Sequence, residues 1–256
     1  MGTTPAKHTQ LKRGNEKSMA DFLEQHRRWV ANFVSGKLEE LLFHLQCVVN
    51  ACDETLRLFN DQKPTPNETQ RAVVYGFSAL ANCVQTLKDA VKTSTGNELP
   101  WSSIKSLRHG AFMYEARNAV THDGNPVISA WADGRYFVPV NICRIGDKGK
   151  LITIPAPTAD VRTLCLEFSE DFGRLLRQTF VAAHAEPALQ GFPFSIEELD
   201  HAFGESNVIP DFARELFLNN RDEIAAQLQA VEHDPATQAV KHLDGLVAYC
   251  EMAQKK

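Results

Sequence analysis

The sequence lacks most of the patterns by which a function is usually read. No stretch approaches the roughly 18 consecutive apolar residues of a membrane span, so no spanning helix is expected. The six cysteines (Cys47, Cys52, Cys83, Cys143, Cys165 and Cys250) form no Cys-x-x-Cys pair and keep no regular spacing. A zinc ribbon or disulfide framework is therefore not expected, and the thiols read as buried groups in a reducing cytosol. There is no Gly-x-x-x-x-Gly-Lys-Ser/Thr, Gly-x-Gly-x-x-Gly, His-Glu-x-x-His or Gly-x-Ser-x-Gly. That removes the usual signatures of phosphate loops, dinucleotide folds, zinc proteases and serine hydrolases. His26 and His44 have no partner at metal-ligand spacing and read as helix-surface or bundle-edge histidines, so neither a metal nor a cofactor is expected. Residues 1–18 are polar and lack the apolar run of a leader. The expectation is a disordered tail on a cytoplasmic protein that is neither exported nor anchored.

What is present is ordinary material for a globular core: 256 residues, 43% of them hydrophobic. The net charge of -5 is unevenly placed. Residues 101–150 carry seven Lys and Arg against four Asp and Glu, whereas residues 186–256 carry five against thirteen. A basic patch on an acidic protein is compatible with gripping a phosphate backbone.

Hydrophobic periodicity predicts a mainly α protein. From Ser18 to about Asn60, Phe22, Trp29, Phe33, Val34, Leu38, Leu41, Leu45 and Val48 trace a helical stripe, as one helix or as two joined near Ser35-Gly36. A turn at Asp61–Asn67 leads to a second helix with Val73, Phe77, Leu80, Val84, Leu87 and Val91 inward, ending near Thr95-Gly96-Asn97. A third helix is predicted unbroken from Trp101 to Asp123. Residues 126–155 hold short apolar runs split by Asp133-Gly134, a strong hairpin signal, and predict two or three antiparallel strands. Thr158 or Asp160 caps a helix running to about His184. Pro and Gly in 186–193 mark a boundary, and Ser195-Ile-Glu-Glu198 is a capping box. Further helices are predicted over 210–232 and 235–254. The expected fold is an up-and-down bundle of four or five long helices over 19–185 with a small antiparallel β insertion. Residues 194–256 follow as an acidic helical subdomain or a cover packed on the bundle.

The chemistry concentrates in Arg117-Asn118-x-x-x-His122. Asn118 and His122 lie one turn apart on nearly the same face of a helix, while Arg117 and His122 diverge by roughly 140°. Either a frayed last turn or a second copy across a two-fold axis is needed to bring Arg117 and His122 together. Arg108-His109-Gly110 spells the phosphohistidine motif of histidine phosphatases, but it lies in a helical pattern far from any first strand. Arg108 and His109 are candidates instead for adding charge to a substrate groove.

Arg117-Asn118-x-x-x-His122, near a helix end after two long helices, resembles the motif of the HEPN superfamily of nucleotide-binding helical domains. The resemblance covers about Ser18 to His184, with the strands as an insertion. It implies a metal-independent endoribonuclease, of the kind found in toxin-antitoxin and phage-defence systems, leaving a 2',3'-cyclic phosphate and a 5'-hydroxyl. Cleavage without a metal needs a base, an acid and a cation for the developing phosphate charge. Histidine changes charge near neutral pH, so His122 suits the proton work, and the forked cation of Arg117 suits the phosphate. Asn118 can hold the imidazole or a phosphate oxygen. The implied partners are a second copy of the chain, RNA and a protein antitoxin, and the dimer contact is expected to bury Phe112, Met113 and Val120. The alternative is a non-catalytic helical dimer that binds a nucleotide, RNA or a protein partner.

Overall fold

The structure, a computed structural model, describes residues 19–146, 149–192, 194–230 and 233–256. The tail expected over 1–18 lies outside the described residues. The fold is mainly α with a small β insertion, as the periodicity predicts. α1 (Met19–Asn60) runs unbroken for 42 residues and folds back through a short loop onto α2 (Asn67–Thr95). Gly36 does not divide α1.

The two helices meet along the stripes expected of them. Val34, Leu38, Leu41, Leu45 and Val48 of α1, and Val73, Phe77, Leu80, Val84, Leu87 and Val91 of α2, are all buried. The first turns of α1 depart from the expectation. Phe22, Trp29 and Phe33 are exposed while Ala31 and Val34 beside them are buried, and among the described residues Trp29 alone of the three gains an aromatic neighbour, Phe194 at 5.8 Å.

The helix predicted over Trp101–Asp123 is two helices, α3 (Trp101–Lys105) and α4 (Gly110–Asp123). A continuous helix would give the Arg108 N–H to Ile104 O. Instead Arg108 N–H donates to Asp171 Oδ2 at 3.2 Å, and Leu107 N–H takes Ile104 O at 3.2 Å. His109 turns the chain with φ of 58°, in the left-handed region that costs a non-glycine residue about 1 kcal/mol. Gly110 then passes so close to α3 that a Cβ there would stand 1.9 Å from Ile104 O.

Two hairpins follow, four strands where two or three are expected. β1 (Ala130–Ala132) pairs antiparallel with β2 (Arg135–Phe137), and β3 (Ile142–Ile145) pairs with β4 (Leu151–Ile154). Asp133 and Gly134 both take positive φ, 50° and 77°, as the twist-matched two-residue turn requires. The tip of this hairpin rests on the end of α1, where Trp131 meets Phe59 edge to face at 5.7 Å.

α5 (Val161–Ala182) opens with Asp160 accepting from Thr163 N–H at 3.1 Å, and it buries Leu164, Phe168, Phe172, Leu176 and Phe180. After a 3-10 turn at Pro187–Leu189 come α6 (Ile196–Glu205), α7 (Asp211–Asn219), α8 (Arg221–Ala230) and α9 (Pro235–Ala253). Ser195 and Glu198 form the capping box predicted for α6. The helix expected over 210–232 is broken at Asn220, whose Nδ2 donates to Leu216 O at 2.7 Å. Such local side-chain bonding competes with helix continuation. α9 belongs to the main core: Ala236, Ala239, Leu243, Leu246 and Cys250 join the cluster formed by α1, α2, α4 and α5. α6 and α8 bury no residue, and α7 buries only Phe217, so these three helices lie at the edge of the bundle.

Candidate functional site

α4 stays helical through His122 to Asp123, and Gly124 closes it in the left-handed conformation with the Asn125 N–H returning to Ala119 O at 3.1 Å. Because the last turn does not fray, Arg117 and His122 keep the roughly 140° divergence of a regular helix. A frayed last turn therefore does not bring them together within one chain.

The three motif residues have different surroundings. His122 is exposed and has no hydrogen bond or ion pair among the described residues. Arg117 is half-buried; its Nη1 donates to Asn118 Oδ1 at 2.7 Å, and no carboxylate lies within ion-pair distance of it among the described residues. Asn118 is buried, 7% exposed, and its Nδ2 points to Glu115 Oε2 at 3.5 Å. Asn118 therefore does not meet the imidazole or solvent. It holds the guanidinium from behind.

One turn before Arg117 on α4 lies a patch built by three elements. Tyr114, one turn earlier on α4, packs edge to face on Trp101 of α3 at 4.7 Å. Lys105 Nζ lies 3.6 Å from the Tyr114 ring, and Lys88 of α2 lies 5.7 Å from the Trp101 ring. Burial works to raise the Asp89 carboxyl, but hydrogen bonds from Gln85 and Lys88 and the fields of Lys88 and Arg117 hold it below its ordinary range. Cations interleaved with aromatic rings suit a phosphate chain and its bases. Tyr114 was legible as the aromatic at i−3 from Arg117, but nothing in the sequence brings Lys88 to Trp101.

Arg108 and His109 have another task. They stand before the first turn of α4, and His109 and His122 are thirteen residues, roughly 20 Å, apart along the axis. Arg108 meets Asp171 at 2.7 Å, Glu170 at 3.0 Å and Glu167 at 3.8 Å, all on α5. His109 Nε2 lies 2.7 Å from Glu167 Oε2. The Arg108 hydrogen bond is the main reason the Asp171 carboxyl sits below its ordinary range, against the opposing effect of burial. The expected groove charge is thus spent on clamping α4 to α5.

Arg144 on β3 was not foreseen. Its side chain, 10% exposed, reaches Asp123 Oδ2 at 2.9 Å and Glu115 Oε2 at 3.6 Å, so it neutralises the two acids nearest the motif. Phe112 and Met113, expected at a dimer contact, are already buried within the chain at 6% and 1% exposure. Val120 also packs partly against the core. On the outer face of α4, Ala111, Thr121 and His122 are exposed.

A cleft of about 320 Å³ opens elsewhere, between α1, β2 and the start of α5. Its arginines are paired, Arg135 with Asp160 and Arg162 with Asp53, so it offers less unspent charge than the end of α4. Compared with protein-family models, curated proteins and solved structures, the chain matches none of them.

Proposed function

We propose that this chain is a HEPN-like endoribonuclease that cleaves RNA without a metal ion, with Arg117 of one copy and His122 of another at a shared groove. One observation carries the reading. Arg108, His109 and Arg144 are each engaged by carboxylates, whereas Arg117 has no ion-pair partner among the described residues and lies one turn after Tyr114 of the Trp101, Lys88 and Lys105 patch. In this mechanism an imidazole of His122 takes the 2'-hydroxyl proton, the 2'-oxygen attacks the adjacent phosphorus, and the P–O5' bond breaks as the 5'-oxygen takes a proton from water, which the imidazolium then restores. Arg117 offsets the charge that builds on the phosphate oxygens. Asn118 positions the guanidinium without touching RNA. The second reading is a non-catalytic helical dimer that binds nucleotide, RNA or protein, favoured by the Arg117 to Asn118 tie within one chain.

The test is a mixed RNA pool incubated with the protein and a chelator, beside Arg117→Ala and His122→Ala chains. Cleavage by the wild type, lost in both variants, is expected. Because His122 is exposed and unpartnered, its removal is expected to change stability by no more than about 0.5 kcal/mol. Mixing the two inactive variants under exchange conditions should restore part of the activity, since a hybrid pair retains one intact Arg and His combination. Binding without cleavage supports the second reading, and cleavage by a strict monomer removes the composite site.

A further inference from the structure

Midway along the contact between α1 and α2, three unlike ligand groups converge. Glu40 and His44 stand one turn apart on α1, and Cys83 faces them from α2. Cys83 Sγ lies 3.6 Å from Glu40 Oε1, and His44 Nε2 lies 3.8 Å from the same oxygen. All three ligand atoms fall within 4.8 Å of one another. By spacing along the sequence alone, His44 has no partner. The partners are a glutamate one turn earlier and a cysteine 39 residues later, which only the helix pairing brings across.

We propose that Glu40, His44 and Cys83 bind one zinc-class divalent ion that bridges α1 and α2, with water completing the coordination. Around a tetrahedral zinc a sulfur and an oxygen ligand stand roughly 3.5–3.7 Å apart and an oxygen and a nitrogen ligand roughly 3.3–3.5 Å, so the Glu40–Cys83 edge already has the required length and the Glu40–His44 edge is a few tenths of an ångström too long. The two edges to His44 shorten by rotation of the Glu40 and His44 side chains, which are both partly exposed and so have room to turn. A thiolate, an imidazole and a carboxylate together suit zinc and its neighbours; magnesium and calcium take oxygen ligands. Lys37 Nζ holds the second oxygen, Glu40 Oε2, at 2.6 Å, which leaves Oε1 aimed at His44 and Cys83. Such an outer hydrogen bond fixes the orientation of a ligating carboxylate. The Phe43 ring stands edge-on to the imidazole at 5.5 Å.

Access and charge also fit. Cys83 is buried, whereas the side chains of His44 and Glu40 are 24% and 40% exposed, so an ion enters from solvent and keeps a water. Burial, and then the Glu40 carboxylate, push the Cys83 thiol up to about 12. Coordination replaces the S–H bond with a metal–sulfur bond and releases that proton to water; no electron is transferred. The two negative ligands then balance the divalent ion.

Cobalt(II) is the probe, because thiolate coordination gives it a charge-transfer absorption. Full-length protein, freed of metal with a chelator and kept reduced, is titrated with Co2+ and then Zn2+. One equivalent of Co2+ should raise the band, and Zn2+ should abolish it. The band should vanish in Cys83→Ser and require at least about tenfold more Co2+ in His44→Ala and Glu40→Gln. It should be unchanged in Cys143→Ser, whose thiol is exposed on β3. Zn2+ should also raise the melting temperature of the wild type but not of Cys83→Ser. Absence of the band in the wild type, or its persistence in Cys83→Ser, overturns the proposal. Where Cys83→Ser does not fold, unchanged Co2+ affinity in both His44→Ala and Glu40→Gln overturns it as well.

Discussion

Arg108 and Arg117 are nine positions apart and carry the same charge, yet their surroundings divide structure from proposed chemistry. Arg108 bonds Asp171 through its side chain and its backbone N–H, while among the described residues Arg117 bonds only the neutral amide of Asn118. Replacing Arg108 with Ala removes a partner of Asp171 and Glu170. Its side chain is 43% exposed, so water screens the pair and the expected loss is about 1 kcal/mol at neutral pH. The pH dependence has a definite sign. A carboxyl held below its ordinary range contributes stability above about pH 4 and loses it as pH falls through the lowered value. Urea unfolding of wild type and Arg108→Ala should therefore show a gap at pH 7 that narrows toward pH 3. An equal gap at both pH values would assign the effect to packing of the side chain.

The break between α3 and α4 is decided by contacts that no local pattern contains. Apolar spacing runs smoothly through 101–123, and only the Asp171 carboxylate on α5 offers the Arg108 N–H a better partner than the helix. Gly110 allows the break because any Cβ would collide with Ile104 O. Gly110→Ala should therefore destabilise the fold by about 1–3 kcal/mol, read as a lower urea midpoint with an unchanged slope. That is the reverse of the small gain that Ala brings inside a continuous helix. A stabilised Gly110→Ala chain would mean that α3 and α4 join. Across the break, Tyr114 of α4 packs against Trp101 of α3.

In the whole molecule, the acidic stretch 194–256 splits by packing. α9 is a core helix whose Leu243 and Cys250 are fully buried, and α6, α7 and α8 form a rim held by Phe203 stacked on Phe217 at 4.3 Å and by Arg221 with Asp200 at 2.6 Å. Leu243→Ala should cost about 2–5 kcal/mol in one cooperative transition that includes α1 and α5. The contrast is a rim substitution such as Leu218→Ala, at 64% exposure, which should cost less than about 0.5 kcal/mol. Two separate transitions in the Leu243→Ala chain would show α9 to be an independent unit.

The sequence by itself determined the mainly helical class, the stripes of α1, α2 and α5, the Asp133-Gly134 hairpin and the caps at Asp160 and Ser195, because periodicity, turn chemistry and capping act over a few residues. It also presented Arg117, Asn118 and His122 as a group. The tertiary structure decided which of these groups keep their charge. Asp171 and Glu170 claim Arg108, Arg144 comes from a hairpin to neutralise Glu115 and Asp123, and Asn118 turns inward. It likewise decided that Cys83 meets Glu40 and His44, and that α9 completes the core. The physical reason is the same throughout: an ion pair or a ligand cluster depends on separations of a few ångströms between distant parts of the chain, and only the packing of whole elements sets those separations.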